Sequence, residues 1–163
     1  MIMAPQTPVA DTTASGSMAV SQESLQADRE IRQLYAPPQP LSARELSCIE
    51  AVRELDELYD ECRLPDWEGG GEDAIDIKTH VEAVRFLLKL PSWVEVPEVE
   101  PEPKGNISFE WHVRRGWTFV VAITKLGTLE YAGVFGNGLA YGSEALADSI
   151  PKSVLDNLKR LYA

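Results

Sequence analysis

The stretch that decides the fold is ISFEWHVRRGWTFVVAITKLGTLEYAGVF, residues 107–135. Apolar and polar residues alternate along it, which is typical of strands that bury one face. The predicted buried faces contain Ile107, Phe109, Trp111 and Val113 in the first strand, and Trp117, Phe119, Val121 and Ile123 in the second. Short glycine-containing turns separate the alternating segments. The pattern therefore predicts an antiparallel meander of three or four strands.

A well-marked helix precedes the meander. Ser42 and Glu45 form a capping box, in which each side chain satisfies a backbone N–H of the first turn. From Leu46 to Cys62, apolar residues recur every three or four positions, which gives the helix one apolar stripe. The sequence therefore predicts a helix over residues 43–62, with acidic side chains on its other faces.

Further helices flank this arrangement. One begins near Asp76 and ends at Leu90, because Pro91 excludes the helical conformation from the residue before it. A weaker pattern predicts another over residues 21–36, and Pro151 suits the first turn of a last helix. This order predicts an α+β fold with two or three N-terminal helices, a three- to four-stranded antiparallel meander, and a C-terminal helix packed on one sheet face.

The domain organisation follows from composition. Residues 1–21 are rich in Ala, Ser, Thr and Pro, so we expect a disordered head followed by a single α+β domain over residues 22–163. Residues 94–106 mix apolar, acidic and proline residues, which favours an extended edge segment. The sequence contains no apolar run of membrane-spanning length and no secretory signal pattern. Together with its two cysteines, Cys48 and Cys62, these features predict a cytoplasmic protein.

The net charge of −11 is concentrated in one segment. Residues 44–76 contain twelve acidic and three basic side chains, a net charge of −9. A field of this sign repels phosphate groups, so direct binding of nucleic acid is disfavoured. An acidic surface can instead bind a basic protein, including one whose own partner is nucleic acid.

Three consecutive glycines interrupt this acidic segment, in PDWEGGGEDAID at residues 65–76. A phosphate-binding loop would lead from a strand into a helix, with Lys, Ser or Thr beside the glycines. Here a helix precedes the loop, and Glu68, Glu72 and Asp73 give it the wrong charge for phosphate. The carboxylates also lack the spacing of a calcium loop. We predict a bend between two helices, with Trp67 packed against the core.

The two histidines, His80 and His112, lie in no nucleophile or zinc motif. We therefore expect no catalytic residues, no metal and no cofactor. An alternative ligand site is a row of acid–base groups on one strand face, formed by Glu110, His112 and Arg114. Together with the Gly69–Gly71 loop this row could surround one pocket, although such rows are more often the solvent face of a half-buried strand.

The second strand of the meander has a further face of interest. Val120 and Ala122 lie opposite its predicted core face. If that face is exposed, it is a candidate for contact with another chain. Pairing of open faces or edges would give a homodimer.

Several motifs resemble those of a known family. They are Trp67-Glu68-Gly69-Gly70-Gly71, the helix that ends in Leu90-Pro91, the proline-spaced run to Lys104-Gly105, and Ile107 to Trp111 in the form I-x-x-E-W. They resemble a widespread family of small uncharacterised bacterial proteins with a W-D-G-x-G-A segment, a helix, and then P-x-P-x-G-x-I-x-x-E-W opening a β-meander. The resemblance covers roughly residues 64–135. This chain differs in having Glu68 and Glu72 where the family has Asp and a small residue. The resemblance implies the fold and a bacterial or phage origin rather than an activity.

The leading hypothesis is a non-catalytic acidic module that binds a partner protein and neutralises or regulates it, like an antitoxin, an immunity protein or a phage-encoded inhibitor. The expected partner is basic, such as a toxin or a protein that acts on nucleic acid. The residues predicted to contact it are Glu54, Glu57, Asp60, Glu61, Asp66, Trp67, Glu68, Glu72 and Asp73. The alternative is a small enzyme or ligand-binding domain with its site near Glu110, His112 and the Gly69–Gly71 loop.

Overall fold

The computed structural model describes residues 22–34 and 40–163 of the chain. The chain divides into two units, Met1–Pro40 and Leu41–Ala163. Helix α1 (Gln22–Leu34) is the described element of the first unit, and it matches the helix predicted over residues 21–36. The head predicted to be disordered, residues 1–21, lies outside the described residues.

The second unit has an α+β architecture, as predicted. Its helices are α2 (Ala43–Cys62), α3 (Ile77–Lys89) and α4 (Lys152–Tyr162). Its strands are β1 (Glu98–Glu102), β2 (Asn106–Arg114), β3 (Trp117–Ile123), β4 (Thr128–Phe135) and β5 (Gly138–Ala145). They form one antiparallel sheet in the order β1-β2-β3-β4-β5, so each strand pairs with its neighbour in sequence. Among the described helices, none is long and apolar enough to cross a membrane.

The prediction of three or four strands was wrong, because the sheet has a fifth strand, β1. A proline within a run usually argues against a strand, and Pro101 lies inside β1. Pro101 pairs with Ile107, and since proline has no N–H to donate, its backbone must face the unpaired side of the strand. β1 therefore fits only at the edge, which is where the extended segment over residues 94–106 was predicted.

The core lies between the helices and one face of the sheet. α3 and α4 pack on β2, β3 and β4, and α2 packs on β1. Phe109 and Phe119 are fully buried, and Phe86 of α3 contacts Phe109 with ring centroids 5.0 Å apart. Burial of a side chain of this size stabilises the fold by roughly 1.5–3 kcal/mol. The predicted core face was wrong at Val113, which is 38% exposed because a β-bulge follows His112.

The N-terminal end of α2 is held at two points. Ser42 Oγ accepts a hydrogen bond from the Glu45 N–H at 3.2 Å, and the Glu45 carboxylate accepts one from the Ser42 N–H at 2.7 Å, which confirms the capping box. The Arg44 guanidinium donates to the carbonyl oxygens of Leu90 at 3.2 Å and Pro91 at 2.9 Å. A cation is favoured at the C-terminal end of a helix such as α3. Arg44 thus holds α2 against the segment that leads into β1.

Candidate functional site

A groove runs between α2 and the edge of the sheet. Near the C-terminal end of α2 its volume is about 350 Å³. The residues that line this half are Glu54, Glu57, Leu58, Glu61, Cys62, Trp67, Val99 and Pro101. The three glutamates form one wall because positions three and four apart share a face of a helix. Apolar side chains of α2 and β1 form the floor.

The groove continues along the N-terminal half of α2, with a volume of about 540 Å³. Glu50 and Glu54 of α2 line this half together with Trp93, Val94 and Glu95 from the segment before β1. Because Glu54 borders both halves, they form one surface, named the α2 groove. A helix of 20 residues is about 30 Å long. The α2 groove could therefore accommodate about nine residues of extended peptide.

The acidic wall of the α2 groove is only partly neutralised. Arg53 forms ion pairs with Glu57 and, at 3.9 Å, with Glu50. Within the described residues, the carboxylates of Glu54 and Glu61 have neither an ion pair nor a hydrogen bond. Exposed ion pairs contribute little stability, and like charges four residues apart on a helix cost about 0.2–0.5 kcal/mol. The wall therefore keeps most of its negative field at a small cost in stability.

The glycine loop after α2 is a bend, as predicted, and it holds anions of its own. The Glu72 carboxylate accepts hydrogen bonds from the N–H groups of Gly70 at 3.1 Å and Glu68 at 3.3 Å. The Asp66 carboxylate accepts one from the Gly71 N–H at 2.9 Å. Positive φ angles of 62° at Asp66 and 86° at Gly71 allow this inward arrangement of N–H groups. The donors that a phosphate would need are therefore already used by carboxylates of the same chain.

These hydrogen bonds lower the pKa of Glu72. The largest effect comes from its own backbone N–H; partial desolvation opposes it, and the N–H groups of Gly70 and Glu68 add to it. Hydrogen bonds donated to a carboxylate favour its charged form. The backbone N–H groups of the loop therefore stabilise Glu72 in its charged form.

Asp73 ties the glycine loop to the sheet. Its carboxylate forms an ion pair with Lys125, and its N–H donates to the Pro103 carbonyl oxygen at 2.8 Å. Its carbonyl oxygen accepts a hydrogen bond from Trp67 Nε1–H at 3.2 Å, and Trp67 packs against the core as predicted. The loop is therefore fixed in place between α2 and the turn from β1 to β2.

The structure separates the residues predicted to contact a partner into three places. Those that line the α2 groove are Glu54, Glu57, Glu61 and Trp67. Those in the glycine loop are Asp66, Glu68, Glu72 and Asp73, and three of these carboxylates bind the loop backbone or Lys125. Asp60 lies on another flank of α2, toward α3. Among the groove residues, the carboxylates of Glu54 and Glu61 have no partner within the described residues, whereas Glu57 is paired with Arg53.

The flank of α2 that carries Asp60 faces a buried histidine of α3. His80 is 7% exposed and stacks on Tyr59 with ring centroids 4.8 Å apart. Its Nε2 lies 2.9 Å from a carboxylate oxygen of Asp56, yet the groups are not aligned, and neither ring nitrogen has a hydrogen-bond partner among the described residues. Burial lowers the pKa of His80, and the carboxylates of Asp56 and Asp60 oppose this shift. His80 is a packing residue that can respond to pH.

The alternative site is not assembled around one pocket. His112 is exposed, with Nδ1 2.9 Å from Thr118 Oγ1. The β-bulge after His112 turns Arg114 out of the predicted row, and its guanidinium lies 4.0 Å from the centre of the Trp117 ring. The glycine loop contacts the chain near Asn106, about 20 Å from His112 along β2. Among the described residues, His, Cys, Asp and Glu side chains form no group that could hold a metal ion.

In the second unit, α2, α3 and α4 leave the opposite face of the sheet without a helix packed on it. Val120 and Ala122, flagged from the sequence, lie on it, although Ala122 is only 8% exposed. Three apolar residues of this face were not predicted, although they are its most exposed: Val134, Leu139 and Tyr141, at 40%, 71% and 83%. The alternation of Leu139 and Tyr141 in β5 is a period-two signal that could have located these two residues.

Comparisons of the chain with protein-family models, with curated proteins and with solved structures found no match. The resemblance of residues 64–135 to a bacterial family therefore stays a prediction.

Proposed function

We propose that the chain is a non-catalytic protein-binding module whose α2 groove takes a positively charged segment of a partner protein. It would neutralise or regulate that partner by binding it, as an antitoxin, an immunity protein or a phage-encoded inhibitor does. One observation carries the proposal: Glu54 and Glu61 stand unpaired, within the described residues, beside an apolar floor. A basic segment with apolar residues would satisfy both features at once.

Electrostatics favours a protein partner over a nucleic acid. The wall of Glu50, Glu54, Glu57 and Glu61 repels phosphate and attracts Lys and Arg. Complementary charge of this kind mainly raises the association rate and selects among partners. Because these carboxylates are exposed, their attraction is screened over about 8 Å at physiological salt. Binding in the α2 groove should therefore weaken as the salt concentration rises.

Two tryptophans lie on the α2 groove, one in each half. Trp67 is half-buried and held by its hydrogen bond to Asp73. Trp93 is 45% exposed and meets Tyr162 edge to face, with ring centroids 6.4 Å apart. Tryptophan is enriched among the residues that contribute most to binding energy at interfaces. These two rings supply apolar anchor points along the acidic wall.

The first test is a titration of the full chain with a fluorescent, extended arginine-rich peptide of about nine residues. Replacement of Glu54, Glu57 and Glu61 by Gln is expected to weaken binding about tenfold at low salt, since each exposed charge contributes on the order of 0.5 kcal/mol. The matched control replaces Glu23 and Glu30 by Gln and Asp28 by Asn in α1, which changes the net charge equally. Equal weakening by both triple variants would show a general charge effect and contradict the proposal.

The natural partner is sought in an extract of the producing organism at low salt, with the wild-type chain and the Glu54, Glu57 and Glu61 variant used side by side. We expect a basic protein that the wild-type chain retains and the variant loses. If every retained protein binds both chains equally, the α2 groove is not the binding surface.

A further inference from the structure

The sheet face that points away from α2, α3 and α4, named the open face, has an acidic half and an apolar half. Pairing across the strands defines its rows. One row, from β1 to β5, contains Glu98, Glu110, Val120, Ala132 and Tyr141. The next row, from β2 to β5, contains His112, Thr118, Val134 and Leu139. A third row contains Glu100, Ser108, Ala122, Glu130 and Ser143. Three of the four glutamates in these rows therefore lie on β1 and β2, and the exposed apolar side chains lie toward β5.

The apolar half consists of β3, β4 and β5, and among the described residues its one carboxylate on this face is Glu130 of β4. Leu139 and Tyr141 are 71% and 83% exposed, and a depression of about 330 Å³ lies between them and Val120 of β3. Ala132 in the middle strand forms its floor. Within the described strands, this half carries neither Lys nor Arg. An exposed apolar surface with a polar border commonly marks an interaction site.

The acidic half consists of β1 and β2. Glu98 and Glu110 are directly opposite each other, and like charges in this position destabilise a sheet. Glu100 points to the same face of β1 as Glu98. Within the described residues, none of these three carboxylates has an ion pair or a hydrogen bond. A cationic group from another molecule would relieve this repulsion.

We propose that the open face binds a positively charged amphipathic helix of a partner protein. Its apolar side would pack on β3, β4 and β5, and its Lys or Arg side chains would lie over β1 and β2. β4 has eight residues and spans about 27 Å, the length of a helix of about 18 residues. The open face is separate from the α2 groove, so this inference goes beyond the proposed function and does not depend on it.

Charge decides between a basic partner and a second copy of the chain. A second copy would bring a further net charge of −11 and no basic side chain on its own apolar half. Stacking two such faces would leave the Glu98 and Glu110 repulsion in place, whereas a basic helix neutralises it. The basic partner is therefore the occupant that fits both halves.

The test uses a synthetic helical peptide of about 18 leucine and lysine residues with one apolar side. A peptide of equal composition, rearranged so that it has no apolar side, is the control ligand. Each is titrated into the ¹⁵N-labelled full chain, and backbone amide shifts are followed by NMR. We expect the amphipathic peptide to shift residues of β3, β4 and β5 at concentrations where the rearranged peptide does not. Shifts confined to α2 would overturn the proposal.

Tyr141→Lys is the decisive variant, because it replaces an apolar anchor by a charge that repels the peptide. The matched control is Leu126→Lys in the turn between β3 and β4, since Leu126 and Tyr141 are both 83% exposed. Tyr141→Lys should weaken binding about tenfold or more, and Leu126→Lys should leave it within about twofold. Equal affinities of the two variants would contradict the proposal.

A double variant, Glu98→Gln with Glu110→Gln, tests the acidic half. It removes the like-charge pair, so thermal stability should rise or stay constant while peptide binding weakens and becomes less dependent on salt. Unchanged affinity would overturn the charged part of the proposal. Sedimentation of the chain alone tests whether a second copy occupies the open face. A dimer that Tyr141→Lys dissociates would assign the open face to a second copy and overturn the proposal.

Discussion

The glycine loop and the glutamate wall of α2 have similar acidic compositions but use their carboxylates in opposite ways. In the loop, Glu72 and Asp66 accept hydrogen bonds from backbone N–H groups. On α2, Glu54 and Glu61 have no such partner in the described chain. The difference is one of donors: N–H groups inside a helix are already used in bonds between successive turns, whereas a glycine-rich bend leaves them free. The carboxylates of Glu72 and Asp66 therefore bind within the loop, whereas Glu54 and Glu61 on α2 are exposed.

This difference separates stability from binding. The loop carboxylates hold the bend together and dock it on the sheet, so their removal should cost stability. Glu54 and Glu61 have neither an ion pair nor a hydrogen bond within the described residues and are repelled by neighbouring glutamates, so their removal should cost binding alone. Each region can be changed without the other, which makes the comparison testable.

The largest effect is expected at Gly105, where the loop meets the turn from β1 to β2. Gly105 has a φ of 74°, and a Cβ there would lie 2.6 Å from the Ala74 carbonyl oxygen. Gly105→Ala should lower the free energy of unfolding by about 3 kcal/mol, because backbone strain and a clash with backbone act together. Urea unfolding of the variant measures this loss.

Gly116→Ala is the matched control for that substitution. Its φ of 75° is nearly the same, but a Cβ there has no atom within 4 Å. Only the strain remains, so the expected loss is about 1 kcal/mol. If the two variants lose equal stability, the close approach of the loop to the turn does not matter and the docking of the loop is weaker than its contacts indicate.

A second prediction concerns His80 of α3, which faces Asp56 and Asp60 on the other flank of α2. Burial lowers the pKa of His80 below its ordinary value of 6.5. Below about pH 6.5, the unfolded chain binds a proton that the folded chain does not, so the free energy of unfolding should fall as the pH falls toward the lowered pKa. Above that pH, His80 should have no such effect. Urea unfolding between pH 7.5 and about pH 5 measures the slope.

His80→Phe keeps the ring beside Tyr59 and removes the titrating group. We expect it to reduce the slope of stability against pH below 6.5. It should also not lower stability at pH 7.5, since it removes two buried nitrogen atoms that lack hydrogen-bond partners in the described chain. An unchanged slope in the variant would assign the pH response to other groups.

Sequence patterns predicted those features that depend on residues close together along the chain. The capping box of Ser42 and Glu45, the alternation from residue 107 to residue 123 and the glutamate face of α2 are of this kind. The patterns failed where a distant segment decides the outcome. Pro101 lies in a strand because β1 pairs with the free edge of β2. The α2 groove exists because residues 93–101 pack beside residues 50–62. Arg114 leaves its row because of a bulge that no spacing rule indicated.

The smallest expected effects are those of single substitutions at Glu72 and Glu54. Their opposite signs test the comparison directly. The pKa of Glu72 lies below its ordinary value of 4.5, so its contribution to stability is present above pH 4.5 and is lost as the pH falls through the lowered pKa. Glu72→Gln should therefore lower the melting temperature at pH 7 and reduce the loss of stability in acid. Glu54→Gln should raise stability by about 0.3 kcal/mol, because it removes repulsion from glutamates three and four residues away. Added salt should diminish the gain at Glu54, since it screens exposed charges. If instead both substitutions destabilise the chain, the α2 carboxylates have structural partners. They would then not be available to a basic protein, which would contradict the proposed function.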